Sequence, residues 1–161
     1  MGAKDDQVFC FSRRTFTWRA KLTTIKVLLA DDHPGFPGLV ASLLEPTFEV
    51  VGRVVDGRAL FEAAMKLKPD VIVTDICMPV LNGLEAVDLL KKSGCASKIV
   101  FLSVHSEPDF VEAGLSAGAL GYVVKPRVGI ELVPAIREVL AGKIFISAAC
   151  GERIPPGFKH V

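Results

Sequence analysis

The chain has 161 residues, half of them hydrophobic, with a formal net charge of +1. That length and composition fit one globular domain with a sizeable core and exclude a disordered or low-complexity chain. No unbroken apolar run approaches the roughly 20 residues of a membrane span, so the expectation is a protein in water, in the cytoplasm, with no membrane contact.

The charge is unevenly spread. Residues 1–24 carry +3, residues 142–161 carry +2, and the stretch between them is therefore −4. An acidic centre has no electrostatic footprint for nucleic acid, so no DNA contact is expected from this chain. Residues 1–24 read as a disordered, basic extension. Met1-Gly2 lacks the Ser or Thr at position 6 that myristoylation needs, since Asp6 stands there. Ser12-Arg13-Arg14 is twin-arginine-like, but Trp18, Arg19 and Lys21 interrupt the apolar region an export signal requires. Cys10, Cys77, Cys95 and Cys150 form no Cys-x-x-Cys pair and have no zinc spacing, so reduced thiols are expected.

The elements alternate between short apolar runs and helical periodicity, the pattern of β/α units around a parallel sheet. A first strand is expected at 25–30 and a first helix at 37–45, with Pro37 in its first turn. A second strand at 49–55 ends at Asp56-Gly57, and a second helix covers 58–67. A third strand at 70–74 is followed by turn residues Pro79 and Asn82-Gly83, then a helix at 83–92. A fourth strand spans 98–103. Ser106 reads as the N-cap of a helix at 107–117, and Gly118 as its stop. A fifth strand at 120–124 precedes a helix at 130–141, with Pro134 near its start. The domain then spans 25–147, with 148–161 as a tail.

Five polar residues close these apolar runs: Asp31 and Asp32 after the first, Asp75 after the third, Ser103 after the fourth and Lys125 after the fifth. In a parallel sheet those ends share one crevice, where such folds bind ligands. Neighbouring carboxylates resist joint ionisation unless a cation offsets them, and a hard cation such as Mg2+ takes one or two of them with waters. Asp75 is placed as a nucleophile toward phosphorus. Lys125 and Ser103 are placed to hold phosphoryl oxygens as charge develops. As a lone surface lysine, Lys125 would carry no role. His33 and His105 line the mouth and are read as local hydrogen-bonding residues.

These residues stand in motifs: VLLADDHP at 27–34, DVIVTDICMP at 70–79, Asn82-Gly83-Leu84, FLSVH at 101–105 and GYVVKP at 121–126. In order, they resemble the receiver domain of bacterial two-component response regulators, closest to the NarL/FixJ subfamily, over about 25–147. The resemblance implies a flavodoxin-like (βα)5 doubly wound sheet of order 2-1-3-4-5. It implies phosphorylation of Asp75 by a sensor histidine kinase or phosphotransfer protein. It implies Mg2+ held by Asp32, Asp75 and the backbone carbonyl of Cys77, with Asp31 acting through water. Ser103 and Tyr122 take the switch positions, with Tyr122 rotating into space freed by Ser103. The Lys125–Pro126 bond is implied to be cis. A phosphorylation-dependent homodimer is a further partner of this kind. The protein is then a phosphoacceptor switch and not an enzyme with a separate substrate.

Family members of this type usually carry a helix-turn-helix after a linker, and this sequence ends near where that linker would start. The chain is read as a receiver with a protein-interaction output; the alternative is the receiver half of a truncated DNA-binding regulator. A haloacid-dehalogenase phosphatase would need Asp where Cys77 stands. A dinucleotide enzyme would need glycines where 31–34 stand. A pseudo-receiver usually lacks one of the five residues, all of which are present.

Overall fold

The computed structural model describes residues 23–151 and Gly157. The expectations for residues 1–22, including both targeting motifs, lie outside the described residues, as do those for most of the tail.

Six strands form one parallel sheet in the order β2-β1-β3-β4-β5-β6. They are β1 Lys26–Ala30, β2 Glu49–Val54, β3 Val71–Asp75, β4 Lys98–Ser103, β5 Gly121–Val124 and β6 Phe145–Ile146. The helices are α1 Phe36–Leu44, α2 Gly57–Leu67, α3 Gly83–Lys92, α4 Pro108–Ser116 and α5 Val128–Leu140. The central β3 is buried at all five positions, as a strand with helices on both faces must be. One apolar layer joins Leu28, Ile72 and Phe101 to Leu60, Val87 and Leu90 of α2 and α3. The other joins Val27, Val73 and Leu102 to Val40, Leu44, Leu132 and Ile136 of α1 and α5. The sheet is thus clamped between two helical layers and its carboxyl ends are left as the one common edge.

Five strands match the expected order 2-1-3-4-5, and the sixth adds to it. β6 is two residues long, too short to show a period of two in the sequence. It pairs with β5 through Gly121↔Phe145 and Tyr122↔Ile146. The chain then makes a short 3-10 turn at Ala148–Cys150, and Cys150 packs into the first apolar layer.

Three local expectations are corrected. The N-cap of α4 is Glu107, without a side-chain hydrogen bond, and not Ser106; Pro108 supplies the missing N–H and preset φ that start the helix. Helix α5 opens at Val128, so Pro134 sits inside it. The amide lost there would have bonded the carbonyl of Ile130, a residue 73% exposed, where water can take over. The Lys125–Pro126 bond is not cis, for no described peptide bond is. Lys125–Arg127 instead forms a trans 3-10 turn, closed by the Val128 N–H on the Lys125 carbonyl.

Two glycines are fixed by close approach. A Cβ on Gly57 would lie 2.0 Å from the Leu81 carbonyl oxygen, and one on Gly83 would lie 2.0 Å from that of Asp75. Gly83 therefore lets the start of α3 press directly against the end of β3. Asn82 and Glu85 lock that start with a reciprocal capping box, Asn82 Oδ1 accepting from the Glu85 N–H at 2.9 Å.

Candidate phosphoacceptor site

Asp31, Asp75, Ser103 and Lys125 stand at or just past the ends of β1, β3, β4 and β5. In register, Ala30 pairs with Thr74, Asp75 with Leu102, and Ser103 with Val124. The staggered ends converge on one side of the sheet. Asp31 and Asp75 are each 3% exposed and Ser103 is 2% exposed, whereas Asp32 is exposed.

Lys125 is no free surface lysine: its side chain is 9% exposed and its Nζ lies 2.7 Å from both Asp31 Oδ2 and Asp75 Oδ2. It also sits over the Phe36 ring, 4.7 Å from the centroid, a cation–π contact that fixes the ammonium from below. Burial pushes the Lys125 ammonium toward losing its proton, but its hydrogen bonds to Asp31 and Asp75 and their charges outweigh this and hold it above its ordinary 10.5. Phe36 was invisible as a site residue in the sequence, because an aromatic at a helix start reads as core.

Asp75 Oδ1 accepts the Cys77 N–H at 3.1 Å, and Oδ2 accepts from Lys125. Both oxygens are thereby oriented before any ligand arrives. Asp31 Oδ1 accepts the His33 N–H at 2.8 Å. Among the described residues, the Lys125 ammonium, at 2.7 Å, is the one partner of the buried Asp31 Oδ2. Two buried carboxylates thus share a single ammonium, with Asp32 adding a third negative charge at the rim. The site is short of positive charge, and buried charges of this kind are stable only when paired.

The residues fit a divalent cation. Asp31, Asp32, His33 and Asp75 each offer a donor atom, all within 4.8 Å of one another, and the one ammonium beside them among the described residues, that of Lys125, leaves their carboxylate charge unbalanced. Three carboxylates suit a hard cation such as Mg2+. Cys77 is exposed and its N–H is engaged with Asp75.

Ser103 and Tyr122, the residues expected at the switch positions, both make defined hydrogen bonds. The Ser103 hydroxyl accepts the His105 N–H at 3.1 Å. Tyr122 is fully buried and its hydroxyl donates to the His105 carbonyl at 2.9 Å. Tyr122 therefore points inward in this structure. Burial pushes its phenol up to about 12, partly offset by a hydrogen bond from Ser103. His105 stacks on Phe110 of α4, centroids 4.0 Å apart and planes within 5°. One short segment thus ties Ser103, Tyr122 and α4 together.

The sequence missed a second charged site. Glu131, 6% exposed, pairs with Arg127 and accepts from the Ser147 hydroxyl and from the Ala148 N–H at 3.2 Å. Burial alone would raise its carboxyl, but Ser147, Arg127 and Ala148 hold it below the ordinary 4.5. The one signal in the sequence was the i, i+4 spacing of Arg127 and Glu131.

The family model of the response regulator receiver domain matches residues 27–137, so this chain belongs to the receiver-domain family, whose members are phosphoacceptor switches of two-component systems. Its relatives are of the NarL type. YvfU of Bacillus subtilis, an uncharacterised transcriptional regulatory protein, is 37% identical over 121 residues, which is 74% of this chain and 60% of that protein. The nitrate/nitrite response regulator NarL of Escherichia coli is 36% identical over 125 residues, 76% of this chain and 58% of its own. This chain therefore spans about 60% of the length of such relatives. Among solved structures, a LuxR-family response regulator from Aurantimonas superposes with a TM-score of 0.77 at 30% identity, covering 82% of this chain and 96% of that one. The receiver domain of a NarL from Mycobacterium tuberculosis superposes at 0.71 and 30%, covering 74% and 98%. Among the described residues, no helix is long and apolar enough to cross a membrane.

Proposed function

We propose that Asp75 accepts a phosphoryl group from the phosphohistidine of a sensor histidine kinase or phosphotransfer protein, and that the loaded site remodels a protein-binding surface. The observation that carries this reading is the Lys125 ammonium 2.7 Å from both buried carboxylates, whose two charges it alone among the described residues offsets. In the transfer, a bond forms between an Asp75 oxygen and phosphorus while the donor's P–N bond breaks, and the imidazole takes up a proton as it leaves. Lys125 neutralises one phosphoryl oxygen and the Ser103 hydroxyl donates to another. The Cys77 N–H keeps the Asp75 carboxylate aimed during attack. Asp32 and Asp75, with the Cys77 backbone carbonyl, would hold a divalent cation such as Mg2+, and Asp31 would act through water. When bound, that cation supplies the remaining charge neutralisation. Hydrolysis of the acyl phosphate by water resets the switch, so no separate substrate is consumed.

The output runs through His105. Ser103 must release the His105 N–H to reach a phosphoryl oxygen, and Tyr122 holds the carbonyl of the same residue. Movement there is passed to α4 through the His105–Phe110 stack, and the surface of α4, β5 and α5 becomes the partner or homodimer face. Phosphate contributes only its differential affinity for the two arrangements. The setting is the cytoplasm, where such kinases deliver phosphate.

A second reading has one specific support. Several relatives are named transcriptional regulatory proteins and extend well beyond the matched part. In that reading these residues are the receiver half of a DNA-binding regulator, and a helix-turn-helix encoded beside them would establish it.

The test of phosphate acceptance is intact mass after incubation with acetyl phosphate and Mg2+. One added phosphoryl group is expected in the wild type and none in Asp75→Asn. An equal signal in that variant would remove Asp75 from the role.

A further inference from the structure

We propose that Phe36 is a positioning residue for phosphoryl transfer: its ring is the seat of the Lys125 ammonium, and the electron density of that ring, beyond its bulk, sets how fast Asp75 takes phosphate. The proposal rests on the reading of Asp75 as the phosphoacceptor.

Two kinds of surface hold the ammonium. Its Nζ lies 2.7 Å from Asp31 Oδ2 and from Asp75 Oδ2, and 4.7 Å from the centroid of the Phe36 ring. Within about 6 Å an aromatic face attracts a cation through its quadrupole, and more strongly where water is excluded. Water is largely excluded here, for the Lys125 side chain is 9% exposed.

The two surfaces act differently during transfer. A carboxylate holds the ammonium by a directed hydrogen bond, and that bond must be given up before the N–H can turn to a phosphoryl oxygen. Asp31 in particular pulls the ammonium back from the incoming group. A ring face attracts without a directed acceptor atom. Lys125 can therefore turn its protons from carboxylate to phosphoryl oxygen without leaving its seat on Phe36. A lysine on a long, flexible stem needs such a seat to keep one position, and small misplacements of a charge at a reacting centre are costly in rate.

The backbone fixes the ring beforehand. Pro34, Gly35, Phe36 and Pro37 follow the acidic turn. Both prolines have a preset φ, and Gly35 takes a φ of 80°, which favours glycine. The Phe36 N–H donates to the His33 carbonyl at 3.3 Å, and the Leu39 N–H to that of Gly35 at 3.1 Å. The chain on either side of the ring has little freedom, and the ring itself packs against the second apolar layer. Phe36 is only half-buried, and a leucine would serve the layer as well. What leucine lacks is the ring face.

Site-specific replacement of Phe36 by mono-, di- and trifluorinated phenylalanine withdraws electron density from the ring while keeping its shape and apolar character. With the full chain, acetyl phosphate and saturating Mg2+, the rate of phosphate incorporation by intact mass should fall at each step. The fall should reach about two- to fivefold across the series, with the urea unfolding midpoint held. Phe36→Leu should fall at least as far. Proton NMR of lysine-labelled protein reads the seat without phosphate: the Lys125 Cε protons should carry a ring-current shift that Phe36→Leu abolishes. A rate that is flat across the fluorinated series or follows only the unfolding midpoint, Phe36→Leu at the parent rate, or the absence of the ring-current shift overturns the proposal. A wild type that takes no phosphate removes the receiver reading itself, whereas a wild type that takes it with a flat series removes this proposal alone.

Discussion

Two buried carboxylate sites flank the 3-10 turn Lys125–Arg127, and their charges are balanced differently. On one side Lys125 enters the crevice, where Asp31 and Asp75 share its single positive charge. On the other, Arg127 meets Glu131, whose oxygens are met by Arg127, Ser147 and Ala148. The first site is unfinished and open to a ligand. The second is complete, and it ties α5 to the segment after β6. A protein can hold an unpaired charge only where the rest of the fold over-determines it, and the clasp at Glu131 is part of what holds this end of the sheet in place.

The largest effect should come from pressing on the crevice from beneath. Gly83→Ala puts a Cβ against the Asp75 carbonyl, and backbone on both sides leaves little room to yield. We expect a loss of about 3 kcal/mol or more and near-complete loss of phosphate incorporation, read by urea unfolding and intact mass. Wild-type behaviour would show that α3 can slide away from β3, and that the crevice is less fixed than described.

Breaking the finished site should cost less. Glu131→Gln removes the charge that Arg127 and Ser147 surround, and a buried group left with a mismatched partner costs about 1–3 kcal/mol. The pH dependence follows from the depressed carboxyl of Glu131. The clasp contributes fully above the ordinary value of 4.5, and its contribution is lost as pH falls through the folded value. The gap in stability between wild type and Glu131→Gln should stay constant from neutral pH down to about 4.5 and shrink below. A gap that instead widens in acid would mean Glu131 is not held ionised by these partners.

Across the turn the sign reverses. Lys125 is held protonated above its ordinary 10.5, so its ion pairs contribute fully below that value and are lost as pH rises through the folded one. The smallest effect on stability is expected from Ser103→Ala, and its information lies in dynamics. Asp75 should still accept phosphate, while amide exchange over residues 104–118 no longer responds to beryllofluoride as it does in the parent. An unchanged response would show that the hydroxyl does not start the switch.

The two sites also differ in how far the sequence exposed them. The crevice was legible because Asp31, Asp75, Ser103 and Lys125 interrupt apolar runs, and parallel strands bring such interruptions to one edge. The clasp was not, because Glu131 and Ser147 are sixteen residues apart and each resembles an ordinary surface residue in its own segment. Strand β6 was hidden by its length. His33 was correctly read as a residue with local hydrogen bonds, but its ring position depends on a backbone turn that residue types alone do not set. Tyr122 was expected at a switch position only through the family resemblance, and its inward placement depends on a hydrogen bond to the His105 carbonyl, which no pattern encodes.

The contrast is tested most directly by urea unfolding of Asp75→Asn and Glu131→Gln side by side, at neutral pH in metal-free buffer. Removing one of the competing crevice charges should leave stability unchanged or raise it by up to about 1 kcal/mol, while Glu131→Gln falls by about 1–3 kcal/mol. If Asp75→Asn loses as much stability as Glu131→Gln, Asp75 is a satisfied structural carboxylate, and the crevice is not the unfinished site described here.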